Sequence, residues 1–287
     1  MIIRPARLED ADAAIALLHG QMSQKISPER WRRIFDYDWG MEKPDCGYVA
    51  EVEGRIVGYL GAVHSERACP EATVKVTNMC AWYVEKAHRG SAGLLLMDKA
   101  TADPERHYTS MTSTSNPRTM MALRACGFRS LDDTRWDWQR QAGHGTEISV
   151  ISDPDALRPY LKPHEARFVR DLAPCGVRAC VLRHPEAESF ALFSLTQKGA
   201  DQPWWDVLYI RDAAEGFLAR HGQGVANALL SAENAVLSAD ARFCGGIPQD
   251  ATRVTLPAPR FVKTRGYDGP PLDHLYTELQ LLSLKLD

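Results

Sequence analysis

The sequence predicts an α/β (α+β) protein of two domains, each a mixed, mostly antiparallel sheet flanked by helices. Three observations lead there. A hairpin pattern over residues 47–63 feeds an apolar, β-branched and aromatic stretch from Val74 to Val84. That stretch passes through a small-residue turn into a leucine-rich helix, and a further strand and short helix then close at Cys126-Gly127-Phe128. The same order of elements returns in weaker form after residue 146, a spacing that reads as duplication of a domain rather than a solenoid.

The bulk properties set limits on function. A chain of 287 residues is long enough for two ordinary domains with substantial cores. A net charge of -3 gives no electrostatic reason to expect nucleic acid or an anionic membrane as partner. No apolar run reaches about 18 residues. Met1-Ile2-Ile3-Arg4-Pro5 leads into structured-looking sequence without a signal-peptide pattern, so a cytoplasmic location is expected. Seven cysteines without a Cys-x-x-Cys pair and nine scattered histidines predict neither a disulfide framework nor a metal site.

Taken in order, residues 2–6 read as a strand, and Leu8 to Leu18 as a helix with acidic residues at its positive end. A second helix starts at Ser27-Pro28, a cap and first-turn pair, and carries Arg30, Arg32 and Arg33 on an exposed basic face. Asp36 to Gly40 is a loop in which Tyr37 and Trp39 serve as buried anchors. The hairpin turns at Glu53-Gly54, and His64 and Glu66 lie just past its second arm. Either could take a proton; ordinary loop residues are the plainer reading.

The turn after the central strand, Arg89-Gly90-Ser91-Ala92-Gly93, has the features of an anion cradle. Small side chains let a phosphate approach the backbone, the first helical amides have no partner within the helix, and the helix dipole adds positive potential there. Close packing alone would also explain small residues at that place.

The succession of a valine, Arg-Gly-x-small five residues on, a strand, Asn116, and then Gly127-Phe128 resembles the GNAT superfamily of acyl-CoA-dependent N-acyltransferases over residues 2–140. The resemblance implies that acetyl-CoA or another acyl-CoA is the co-substrate and that an amine attacks its thioester directly. It implies further that Arg89 to Gly93 take the pyrophosphate, that Trp82, Tyr83 and Val84 line the pantetheine arm, and that Asn116 lies at its far side. Ala92 and Leu94 depart from the small residues of the family's loop, and Leu123 stands where many members carry a proton-donating tyrosine. Glu66, near the expected meeting point of amine and thioester, is the candidate catalytic residue.

The expected domains are 1–142, the CoA-binding GNAT-like domain, and 143–287, a degenerate second copy, so that the chain resembles a tandem pair. In the second copy Trp204 to Ile210 is the central strand, and Arg220 to Ala226 reads as a loop opening a helix at Asn227. His274 to Leu282 reads as a closing strand. The expected activity is acyl transfer to a small-molecule amine. Two alternatives stand beside it: a non-catalytic CoA-binding or protein-interaction module, and an acyltransferase whose site is Gly222 to Ala226 of the second copy.

Overall fold

The computed structural model describes residues 1–41, 43–68, 73–111, 116–141, 146–198, 201–264 and 272–284. The chain divides into two compact units that alternate along the sequence. One comprises Met1–Leu131, Arg260–Gly269 and Tyr276–Leu282; the other comprises Asp132–Pro259, Pro270–Leu275 and Ser283–Asp287.

The first unit begins with β1 (Ile2–Pro5), α1 (Ala11–Leu17) and α2 (Pro28–Asp36). Ser27 Oγ accepts from the Arg30 amide, and Trp31, Ile34 and Phe35 recur at the spacing of one helix face and are buried. β2 (Tyr48–Val52) and β3 (Arg55–Ala68) form the hairpin. Glu53 and Gly54 both have positive φ (51° and 77°), the backbone that a two-residue turn between right-twisted strands requires. β4 (Thr73–Val84), α3 (Arg89–Ala100), β5 (Arg106–Ser110) and α4 (Pro117–Ala125) follow. The sheet runs β1-β2-β3-β4-β5 and is antiparallel except between β4 and β5, where α3 makes the crossover that a parallel pair needs. Met79, Val84, Leu96, Met97, Tyr108 and Leu123 lie in the core cluster of this unit.

β6 (Arg129–Gln139) follows Phe128, and its residues Arg135–Gln139 pair with a strand of the second unit. The sequence boundary near residue 142 therefore differs from the structural one at 131/132. The reason is hydrogen-bond partnership, which the alternation of β6 does not encode.

The second unit repeats the plan with β7 (Ser149–Ile151), α5 (Pro154–Leu157), α6 (Pro163–Leu172), β8 (Arg178–His184), β9 (Ala187–Lys198), β10 (Gln202–Ile210), α7 (Phe217–Leu229) and β11 (Val236–Asp240). Its order is β7-β8-β9-β10-β11-β6; β10 and β11 are parallel across α7, and the β7–β8, β8–β9, β9–β10 and β11–β6 pairs are antiparallel. β12 (Thr252–Lys263) ends by pairing Phe261–Lys263 with Tyr108–Ser110 of β5, in the first unit. Each half of the sequence thus supplies the other's sheet with a strand next to the fifth.

Two expectations for the second copy are corrected. α7 already begins at Phe217, so Arg220 to Ala226 lie within the helix and form no loop. Gly222 is there because Trp138 lies against it: a Cβ at Gly222 would come within 2.6 Å of the buried indole. Gly222→Ala is expected to destabilise the second unit by about 1–3 kcal/mol, against the gain of roughly 1 kcal/mol that alanine brings to an exposed helix, as a thermal or urea melt would record. The stretch from His274 to Leu282 contains α8 (Glu278–Leu281), a single helical turn capped by Thr277, and is not a strand. The expected closing glycine, Gly266, and most of the linker, 142–145, lie outside the described residues. Among the described residues no helix is long and apolar enough to cross a membrane.

Candidate functional site

The first unit's site is built by an irregularity in β4. Tyr83 pairs with Tyr59 and Cys80 with Gly61, so Ala81 and Trp82 stand opposite Leu60 alone. This is a β-bulge, with Ala81 at φ 49°. Gly61 makes room for it, since a Cβ there would lie 2.8 Å from Cys80 Sγ. A bulge bends the strand, and β4 pairs with β5 only over Lys75–Asn78. Met79 to Val84 therefore run on beyond their parallel neighbour.

At the end of this strand the Glu85 amide bonds to the Val57 carbonyl, a turn at Lys86–His88 follows, and α3 begins. Its first turn contains no acidic residue, whereas Asp12, Glu29 and Glu165 occupy the first turns of α1, α2 and α6. Lys86 and Arg89 add positive charge at the same end of the helix. Gly90 departs from helical geometry (φ −1°, ψ −119°), and a Cβ on it would meet nothing within 4 Å. Among the described residues no carbonyl from outside the helix is bonded to the amides of Gly90, Ser91 or Ala92. The end of this helix is thus positive and open.

The expected binding residues take different places. Gly90 and Ser91 are exposed at the helix start, while Ala92 is fully buried beneath it. Trp82 lies over the first turn, its ring atoms 3.5–3.7 Å from where a Gly93 side chain would begin, so Gly93 serves as the seat of the indole. Arg89 turns back: its Nε donates to the Val84 carbonyl at 3.0 Å and its guanidinium lies 5.5 Å from the centre of the Tyr83 ring. Val84 is in the core. Asn116 is the cap of α4, its Oδ1 accepting from the Arg118 amide at 3.0 Å.

Glu66 and His64 are on β3 itself, which runs to Ala68, and not past it. Glu66 faces Lys75 in the ladder, six residues from Ala81, or about 20 Å along a strand. His64 is 3% exposed, with Nε2 3.0 Å from Asp45 Oδ1 and Nδ1 3.0 Å from Thr77 Oγ1. Both ring nitrogens are thus engaged, one by the Asp45 carboxylate and one by the Thr77 hydroxyl. This histidine ties the Asp45 loop to the sheet. Leu123, at the position of the family tyrosine, is buried in the core.

Sequence reasoning missed the residues that reach this unit from the chain's end. Tyr276 to Leu282 are all buried, and the Glu278 carboxylate accepts from Asn78 Nδ2. Arg30 and Arg33 of α2, expected on a solvated face, donate to the carbonyls of Leu282 and Leu281. The available signal was a polar pair, Glu278 and Gln280, inside an otherwise apolar run.

The second unit has the same two features and fills both with its own chain. β10 bulges at Leu208 between Val207 and Tyr209, and the Leu208 carbonyl accepts from the His274 amide at 2.9 Å. The His274 ring is fixed by Asp240 (2.8 Å), and Arg242 Nε donates to the Leu272 carbonyl (2.8 Å). At the start of α7 the Ala219 amide donates to the Cys244 carbonyl at 3.2 Å. Gly245 (φ 62°) lies so close that a Cβ on it would be 2.7 Å from Gly216 Cα. The anion cradle proposed for Gly222 to Ala226 is absent, because those amides are inside a helix whose first turn is closed by a carbonyl.

Residues 13–128 match the model of the acetyltransferase (GNAT) family. No curated protein matches the chain. Among solved structures it is similar to a GCN5-related N-acetyltransferase from Anabaena variabilis (11% identity, TM-score 0.57, covering 91% of this chain and 71% of that one). It is also similar to one from Kribbella flavida (12%, TM-score 0.52, 91% and 70%) and to a probable N-acyltransferase from Enterococcus faecalis (12%, TM-score 0.51, 91% and 72%). At these identities the likeness is one of fold.

Proposed function

We propose, from the premise that residues 13–128 belong to the acetyltransferase (GNAT) family and that the chain is an acyltransferase, that its first unit transfers the acyl group of acetyl-CoA to a small-molecule amine. The observation that carries this reading is the contrast between two copies of one fold. The start of α3 is open, basic and free of acids, whereas the start of α7 is closed by the Cys244 carbonyl. In this reading the pyrophosphate lies over Gly90 and Ser91, where unpartnered amides and the helix dipole favour an anion. Trp82, seated on Gly93, forms a wall of the arm's path, and the peptide groups of Met79 to Ala81, past the last β5 pairing, are free to meet the thioester. Arg89 acts by holding the strand end through Val84, with its charge adding to the local potential. The amine nitrogen attacks the carbonyl carbon, peptide N–H groups stabilise the oxyanion, and CoA leaves as a thiol.

Calorimetric titration with acetyl-CoA is expected to give one site per chain, and thiol release over an amine panel is expected to depend on the amine. Absence of heat on titration would overturn the reading. Binding without amine-dependent release would instead leave the non-catalytic CoA-binding module.

A further inference from the structure

We infer that Glu278, brought to the first unit by the last described segment of the chain, is the proton acceptor for the incoming amine. This rests on the acyl-CoA reading above and goes beyond it by assigning the base. Asn78 and Thr109 are the last residues paired before β4 and β5 part, and their side chains lie together, Thr109 Oγ1 donating to Asn78 Oδ1 at 3.1 Å. That bond orients the amide so that Nδ2 faces away from Thr109, and there it meets the Glu278 carboxylate. Cys80, two residues along the same strand and next to the bulge, has its thiol pushed well up by burial and secondarily by the negative charge of Glu278. The carboxylate is therefore felt at the part of β4 where the thioester carbon would lie.

The segment is held for that purpose from several sides. Thr277 caps the single turn that carries Glu278, and Arg30 and Arg33 hold its last carbonyls. The Tyr276 ring lies between the Arg67 guanidinium, 4.6 Å from its centre, and the Trp39 ring, 4.7 Å away. Tyr276 and Ser283 bracket it at φ 56° and 47°, a conformation that costs side-chain-bearing residues free energy and persists where surroundings impose it. Glu278 is 2% exposed.

The proton balance is simple. Glu278 takes one proton from the acceptor ammonium; the freed lone pair forms the C–N bond, the C–S bond breaks, and a second N–H proton ends on the CoA sulfur. Glu278 then returns its proton to solvent.

The test uses the full chain, acetyl-CoA and two probe amines: n-propylamine, an ammonium ion at pH 7, and hydroxylamine, which is already neutral there. Glu278→Gln keeps the size of the side chain and an oxygen for Asn78. It is expected to lower kcat/KM for propylamine at least ~100-fold, to change hydroxylamine transfer by less than about 5-fold, and to leave the acetyl-CoA isotherm unchanged. Glu278→Asp, which retains a carboxylate, is expected to recover part of the propylamine rate; it carries the test if the glutamine variant does not fold. Equal losses with both amines, or wild-type release from propylamine no faster than that of the variant, would overturn the assignment. Failure of wild type to bind acetyl-CoA would sink the underlying reading instead, so the two failures are distinguishable.

Discussion

Ser91→Glu is expected to weaken acetyl-CoA binding about 100-fold in a calorimetric titration while leaving the melting temperature at or slightly above that of wild type. Ser91 is exposed in the first turn of α3, and among the described residues its side chain makes no hydrogen bond, so its replacement removes nothing from the fold. A carboxylate at a helix start is, if anything, favourable to the helix. Against a bound pyrophosphate the effect reverses: two like charges about 5 Å apart near a surface repel by roughly 3 kcal/mol at an effective dielectric of 20, a factor of about 100 in affinity. Ser91→Gln, of similar size and no charge, is expected to lose less than 5-fold, and the glutamate penalty should shrink with added salt. An unchanged isotherm for the glutamate variant would place the anion elsewhere. The choice of Ser91 over Arg89 matters here, because Arg89 also holds the Val84 carbonyl and its loss would mix binding with structure.

Arg211→Met is expected to cost the second unit about 3–5 kcal/mol, the penalty of leaving a buried carboxylate without its cation. Glu165 is completely buried on α6, and Arg211 Nε donates to its Oε1 at 2.8 Å, with the Tyr209 hydroxyl (3.2 Å) on the same oxygen and the Lys162 amide (2.8 Å) on the other. The bond to Glu165 raises the pKa of Arg211, and burial followed by the Glu165 charge pushes the Tyr209 hydroxyl up. Both shifts favour the charged pair with a neutral phenol. Amide exchange followed by mass spectrometry should show protection of β8–β10 reduced roughly 150- to 5,000-fold at neutral pH. Adding Glu165→Leu to the same chain should restore much of it, because the uncompensated charge is then gone. A loss below about 1 kcal/mol would mean that water reaches the pair and screens it.

Residue pattern made much of the scaffold legible. The two-residue turn at Glu53-Gly54, the Ser27-Pro28 helix start, the buried Tyr37 and Trp39 and the β8–β9 hairpin all follow from local chemistry. Local backbone preference and side-chain periodicity act within a few residues, so the sequence carries them directly. The open start of α3 was legible for the same reason.

Choosing between the copies required more. In sequence, Gly224-x-Ala226 has the small residues of a phosphate loop and the first copy keeps the strand-to-loop spacing, yet Gly222 is small to seat Trp138, and the real start of α7 is closed by a carbonyl more than 20 residues away. Glu66 was placed near the reaction by proximity to a turn that β3 does not make. Glu278, 200 residues from Asn78, is marked in the sequence only as one of a polar pair inside an apolar run, which does not say what it will face.

By itself, then, the sequence determined which segments are strands and helices in most of the chain, and that a small-residue stretch opens a helix after β4. Only the tertiary structure decided which fifth strand β6 and the end of β12 join, which of the two helix starts stays open, and which carboxylate stands beside the parting strands. The physical reason is range. Propensity and capping are satisfied within one or two turns of chain, whereas a closed cradle, a partnered sheet edge and a buried charge depend on groups brought together across long loops by burial of apolar surface, which is non-directional and leaves no local signature.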